Sequence, residues 1–185
     1  TLGFTATPRL ARKHIKEVFG EHEIARESYA NLIKSKNLVP FKIFHTEGTI
    51  TLGEDAENLR TLTEDEESEI LNREDTYEKL LEMYSKEYIN HTNGFRGTVF
   101  CVNGAECDKF IKKAKDDYGL KCSRVTYKDG SDSLYEAEAS LKDRNIDLIV
   151  TVNKLAEGWN FPMLDAVIMA RANCSPARLI QAAGR

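Results

Sequence analysis

Near the carboxyl end of the chain, Gln181 and Arg185 stand four residues apart, a spacing that puts both side chains on one face of a helix. A guanidinium in that place offers a planar fork of donors that matches phosphate or carboxylate oxygens two at a time. Gly184, without a side chain, lets a backbone or ligand come close beside it. Upstream, Ser175-Pro176 has the form of a hydroxyl cap with proline at the first helical position, so it starts the helix that carries Gln181 and Arg185. A second segment, Val152-Asn153-Lys154-Leu155-Ala156-Glu157-Gly158-Trp159-Asn160-Phe161-Pro162, follows a β-branched run, where a strand hands a loop to a ligand. Other chemistries lack their residues. No G-x-x-x-x-G-K-[ST] loop and no G-x-G-x-x-G turn occurs. His14, His22, His45 and His91 are scattered, with no acid or nucleophile at catalytic spacing. Cys101, Cys107, Cys122 and Cys174 form no C-x-x-C pair, so no metal site is expected, and reduced intracellular thiols are.

These residues need a scaffold, and the pattern from Gly97 onward supplies one. Apolar strands are expected over 98–102, 122–127, 146–152 and 164–169. Between them lie a helix with Phe110, Ile111 and Ala114 on one side and another opened by Ser133-x-x-Glu136, carrying Ala137, Ala139 and Leu141. Near-continuous apolar strands separated by helices imply a parallel sheet covered on both faces, an α/β fold. Residues 53–96 are acidic and read as a helical insertion. Thr63-x-x-Glu66 and Asp75-x-x-Glu78 have the spacing of helix-starting boxes, and Leu80, Leu81, Tyr84 and Tyr88 form a stripe that packs on the lobe. Before it, a helix is expected to open at Thr7-Pro8 with Ala11, Ile15, Val18 and Phe19 on one face, and a second to run from Ser28 to Lys36 until Pro40 ends it. Strands are expected over 41–46 and 49–52.

The chain has 185 residues, enough to bury a core, and its charged and apolar shares, 30% and 41%, are ordinary for a globular protein. A net charge of −4 argues against a surface that is basic all over, but a nucleic-acid track needs only a local basic strip. The run Lys109, Lys112, Lys113 and Lys115 reads as a solvated helix face, and lone Trp159 as a core plug or interlobe contact before a base-stacking residue. No apolar run is long enough to span a membrane, and a cytoplasmic location is expected.

Three segments together resemble motifs of superfamily 2 helicases and translocases. Thr5-Ala6-Thr7-Pro8 resembles motif III, Val152 to Pro162 motif V, and Gln181-Ala182-Ala183-Gly184-Arg185 motif VI; Thr98-Val99-Phe100-Cys101-Val102-Asn103 resembles motif IV. The resemblance implies a RecA-like sheet. It divides the chain into the end of a first lobe (1–8), a linker and approach to the second lobe (9–52), the acidic insertion (53–96) and the second lobe (97–185). The chain then looks like a piece of a larger motor that begins after the phosphate loop, stops before the last arginine of motif VI, and does not hydrolyse ATP by itself. In this family Arg185 would be the arginine finger, with Gln181 organising the phosphate end. Gly158, Asn160, Glu157 and Gly184 would meet ATP, while Mg2+ and most of the nucleotide are held by the first lobe. Asn103, Gly104, Thr151, Asn153 and Lys154 would grip the nucleic-acid backbone, although Asn103 serves equally well as a helix cap. Thr5 and Thr7 would couple the lobes. Asn160 and Asn153 stand where relatives carry aspartate, which weakens ribose contact and keeps open a RecA-like module that binds without turnover. Glu157-Gly158-Trp159-Asn160-Phe161-Pro162 is similar to the restriction-enzyme and repair-helicase branch, which implies double-stranded DNA and restriction or repair subunits as partners. An RNA helicase is the other possibility.

Overall fold

The computed structural model describes residues 9–10, 13–14, 28–40, 42, 44, 63–73, 75–90, 93–152, 159 and 161–171. The chain divides into two units, Thr1–His45 and Thr46–Arg185.

In the first unit, β1 (Arg9–Leu10) and β2 (Lys13–His14) pair antiparallel, with Arg9 opposite His14 and Leu10 opposite Lys13. The helix expected to open at Thr7-Pro8 is therefore not formed over these residues. Helical spacing of apolar residues is a weak preference, and a local strand pairing overrides it here. Helix α1 (Tyr29–Lys34) starts where expected, with Ser28 Oγ accepting from the Asn31 amide at 3.1 Å. Its end is not set by Pro40. Lys36 turns to a φ of 61°, and the amides of Asn37 and Leu38 return to the Leu32 carbonyl at 2.9 and 3.0 Å. Lys42 and Phe44 belong to no strand; the rest of the strands expected over 41–52 lies outside the described residues.

The second unit contains α2 (Glu64–Arg73), α3 (Thr76–Ile89), β3 (Gly97–Cys101), α4 (Gly104–Tyr118), β4 (Cys122–Val125), α5 (Ser131–Lys142), β5 (Leu148–Thr151) and β6 (Ala166–Ala170). The four strands form one parallel sheet in the order β4-β5-β3-β6. Each strand falls within a residue or two of the stretch its apolar run predicts. β-Strand side chains alternate between faces, so one sheet makes two cores. Val99, Cys101, Leu148, Val150, Ile168 and Ala170 point to one side and meet α2, α3 and α4 through Leu71, Tyr77, Leu81, Tyr84, Phe110 and Ala114. Phe100 and Ile149 point to the other and meet Ala137 and Leu141 of α5, with Trp159 and Phe161. The link from β3 to β4 crosses the sheet one way and the link from β4 to β5 comes back. Crossovers of constant hand must then lie on opposite faces, as α4 and α5 do.

Local signals explain the helix ends. Thr63 and Glu66 make a full capping box: the Thr63 amide donates to Glu66 Oε2 at 2.9 Å and the Glu66 amide to Thr63 Oγ1 at 3.3 Å. The box expected at Asp75 does not form, because Asp75 sits in the left-handed region at a φ of 49° and its side chain makes no cap bond. Nor is Ser133 a cap: α5 begins two residues earlier, and Ser133 Oγ donates to the Gly130 carbonyl from within the first turn. Gly119 stops α4 at a φ of 66°, with its amide on the Lys115 carbonyl at 3.0 Å.

Helix α3 is part of the core. Leu81 is fully buried, and the Tyr84 hydroxyl donates to the Phe95 carbonyl at 2.7 Å. Tyr88 Oη donates to Asp147 Oδ1 at 2.8 Å, near the start of β5. Leu81→Ala is expected to lower unfolding free energy by about 2–5 kcal/mol, measured by urea denaturation followed by circular dichroism. A loss below about 0.5 kcal/mol would mean that α3 is not part of the sheet's core.

Candidate functional site

In a parallel sheet all strands deliver their carboxyl ends to one edge, where loops and helix starts can converge on a ligand. Here β5, β3 and β6 are consecutive neighbours, and their ends are level: Phe100 pairs with Thr151 on one side and with Met169 on the other. Adjacent strands lie about 4.8 Å apart. The residues that follow them, Val102-Asn103, Val152 and Arg171, are thereby brought to one edge from distant parts of the sequence.

The described site residues behave differently from one another. Asn103 is a helix cap, its Oδ1 accepting from the Glu106 amide at 3.0 Å, while its Nδ2 donates to Ser68 Oγ at 3.3 Å. Both ends of the carboxamide are used inside the protein, so the capping role prevails over the contact with a nucleic acid. Gly104 opens α4 and is half-buried, and a methyl group at its Cα would meet nothing within 4 Å. Thr151 is wholly buried, and its hydroxyl has no hydrogen-bond partner among the described residues. Thr5, Thr7, Asn153, Lys154, Glu157, Gly158, Asn160, Gln181, Gly184 and Arg185 lie outside the described residues.

Trp159 is 6% exposed, in agreement with its reading as a core plug, and its ring is not open for stacking on a base. The indole lies parallel to the Phe161 ring, with centroids 5.8 Å apart, and its Nε1 donates to Glu138 Oε1 on α5.

Sequence patterns did not disclose the polar network that fastens α2 and α3 to this edge. Glu106 is almost fully buried and accepts from Tyr77 Oη at 2.5 Å, Lys109 Nζ at 2.8 Å and Asn72 Nδ2 at 3.4 Å. Burial pushes its carboxyl up, and the bonds from Lys109, Tyr77 and Asn72 more than offset this, leaving it below the ordinary value. Burial and the bond to Glu106 push the Tyr77 hydroxyl well up, so it remains a donor. At the end of β6, Arg171 Nη2 lies 3.4 Å from Glu67 Oε2, with Glu67 buried and Arg171 largely so. Glu67 belongs to an acidic run that reads as solvated; its partner is 104 residues away, beyond any local pattern. Two of the lysines in the basic run also tie helices together, Lys109 through Asn72 Oδ1 of α2 at 3.4 Å and Lys113 through Glu78 of α3 at 3.2 Å.

The described cysteines, Cys101, Cys107 and Cys122, are free thiols packed within or against the core. Cys101 and Cys107 are fully buried, a shared hydrogen bond and burial push the Cys101 thiol up, and burial pushes Cys122 up to about 12. Among the described residues no three His, Cys, Asp or Glu side chains gather to hold a metal ion. No helix among them is long and apolar enough to cross a membrane.

The fold is a four-stranded parallel α/β sheet with helices on both faces, and its strand-following segments gather at the carboxyl edge. Residues 75–185 match the family described as the helicase conserved C-terminal domain, and the chain belongs to that family. The match takes in α3 as well as the sheet. The "51.5 kDa protein" of Lactococcus phage (isolate 7-9) is 23% identical over 182 residues, which cover 97% of this chain and 38% of the phage protein. The chain thus spans well under half the length of that relative. Among solved structures, the Pyrococcus furiosus Hef helicase domain is similar with a TM-score of 0.49 and 19% identity, over 58% of this chain and 22% of that one. The C-terminal domain of the DEAD-box protein Dbp5 is similar with a TM-score of 0.46 and 16% identity, over 56% of this chain and 59% of that one.

Tyr77→Phe removes one donor from a buried carboxylate and is expected to cost about 1–3 kcal/mol near neutral pH. Because the Glu106 carboxyl is held down in the folded state, this stabilisation is present above the ordinary carboxylate range, near pH 4.3, and is lost as pH falls through the lower folded value. The gap between wild type and variant, read from denaturation at a series of pH values, should close on acidification. An unchanged gap at low pH would assign the effect to packing alone.

Proposed function

We propose that the chain supplies the second motor lobe of an ATP-dependent DNA helicase or translocase. One observation carries the reading. In a chain of the helicase C-terminal family, the segment resembling motif IV runs along β3 and just past it, and that resembling motif V begins directly after β5. The segment resembling motif VI comes later in the sequence than β6, and the three strands are neighbours with level carboxyl ends. In this reading Glu157, Gly158, Asn160, Gly184 and Arg185 meet ATP. Mg2+ is held by the other lobe. Bound ATP supplies the γ-phosphoryl group whose transfer to water is coupled to closure of the two lobes. Arg185 sets its guanidinium against the negative charge on the γ-phosphate oxygens, a contribution worth several orders of magnitude in rate. Gln181, one turn earlier, holds the phosphate end in register with it.

Gly104, Asn153 and Lys154 contact the sugar-phosphate backbone, which carries no sequence information and so suits stepping. Thr151, being buried, supports the loop that follows it and does not itself touch a strand. Thr5 and Thr7 couple lobe closure to that grip. Double-stranded DNA and the restriction or repair branch follow from Glu157 to Pro162; stimulation by RNA in place of duplex DNA would redirect the assignment. Asn153 and Asn160 favour a second reading, a lobe that binds nucleic acid and does not turn over.

Arg185→Ala in the intact protein should reduce nucleic-acid-stimulated ATP hydrolysis by about 10³-fold or more, with ATP binding retained. Steady-state phosphate release and nucleotide titration measure the two. Turnover near wild type in the variant would remove Arg185 from catalysis. No turnover in the wild-type protein would favour the binding module.

A further inference from the structure

The crossover helix α5 carries no residue of the motifs that resemble a motor, yet one of its carboxylates is spent on one of them. Glu138 accepts a hydrogen bond from the indole Nε1 of Trp159, 21 residues further along the chain. A bond from an N–H to a carboxylate is among the stronger hydrogen bonds in proteins, and this one is part-buried. Three further features hold the same ring. Trp159 is 6% exposed, lies parallel to Phe161, and shares the core beneath the sheet with Ala137 and Leu141 of α5. Phe161 is fixed in turn, because its carbonyl accepts from the Leu164 amide at 3.0 Å in the turn that leads into β6.

Trp159 lies between Gly158 and Asn160, each one peptide away, and successive Cα atoms are about 3.8 Å apart. Locking the indole therefore fixes the point from which both neighbours must start. At the other end of the segment, Thr151 fixes the start from the buried end of β5.

We propose that Glu138 is a positioning residue for the motif V segment: its carboxylate sets the indole of Trp159, which stands between Gly158 and Asn160 in the sequence. This rests on the motor reading, in which those two residues meet ATP. Small displacements of such groups are costly, since about 1 Å of misplacement can reduce a rate on the order of a hundredfold.

The test uses the intact protein and nucleic-acid-stimulated ATP turnover, with kcat and the apparent KM for ATP measured separately. Glu138→Ala and Trp159→Phe should each lower kcat about tenfold or more, by the same misplacement argument. Trp159→Phe keeps a ring beside Phe161 but loses the N–H together with part of the indole's bulk, so it carries the test should Glu138→Ala fail to fold, with Glu138→Gln separating the lost bond from lost packing. The double variant should be no worse than either single one, because both remove the same bond. Glu138→Gln should recover most of the rate, as its amide oxygen still accepts from the indole. Glu136→Ala, an exposed neighbour on the same helix, should match wild type. Wild-type kcat in both single variants, or losses that simply add, would overturn the proposal. Wild-type protein without stimulated turnover would overturn the motor reading and this inference with it. That outcome shows in the wild-type arm alone, so the two failures are distinguishable.

Discussion

Strand β3 has parallel neighbours on both edges and side chains packed on both faces, so all five of its residues are buried. A backbone in that position can satisfy its polar groups only through the ladders to β5 and β6. Its side chains can be sheltered only if both sheet faces are covered. Those two demands dictate most of the domain. They require α4 and α5 to lie on opposite faces, and they draw α3 onto the open side of the sheet, where Leu81 and Tyr84 fill the space over β3 and β6. They also set the strands that precede the motor-like segments side by side. The functional edge is thus a by-product of covering the central strand.

Packing alone would leave α2 free to slide, because its apolar face is short. Polar contacts remove that freedom. Asn103, Glu106 and Arg171 lie at or just beyond strand ends, and each engages a residue of α2: Ser68, Asn72 and Glu67 respectively. A buried ion pair such as Glu67–Arg171 adds little net stability, but losing one partner strands the other charge. Its value is in specifying one docked arrangement. The same logic appears beneath the sheet, where Glu138 and Trp159 join α5 to the segment after β5.

Much of this architecture was legible in the residues. The apolar runs marked the four strands, and the stripe of Leu80, Leu81, Tyr84 and Tyr88 marked the face by which α3 packs. The Thr63–Glu66 box marked the start of α2. Where local reading failed, a neighbouring interaction had displaced a local preference. Pairing of Arg9–Leu10 with Lys13–His14 replaces the helix expected after Thr7-Pro8. A left-handed backbone at Asp75 removes the geometry a capping box needs.

What the sequence by itself determined was the alternation of strand and helix and the order of the motor-like segments, because hydrophobic period and capping chemistry are properties of residues a few positions apart. Only the tertiary structure decided that Asn103 also reaches Ser68, that Glu67 meets Arg171, and that Glu138 holds Trp159. Those pairings join residues whose separation along the chain exceeds any local repeat, and burial strengthens each of them by excluding the water that would otherwise compete.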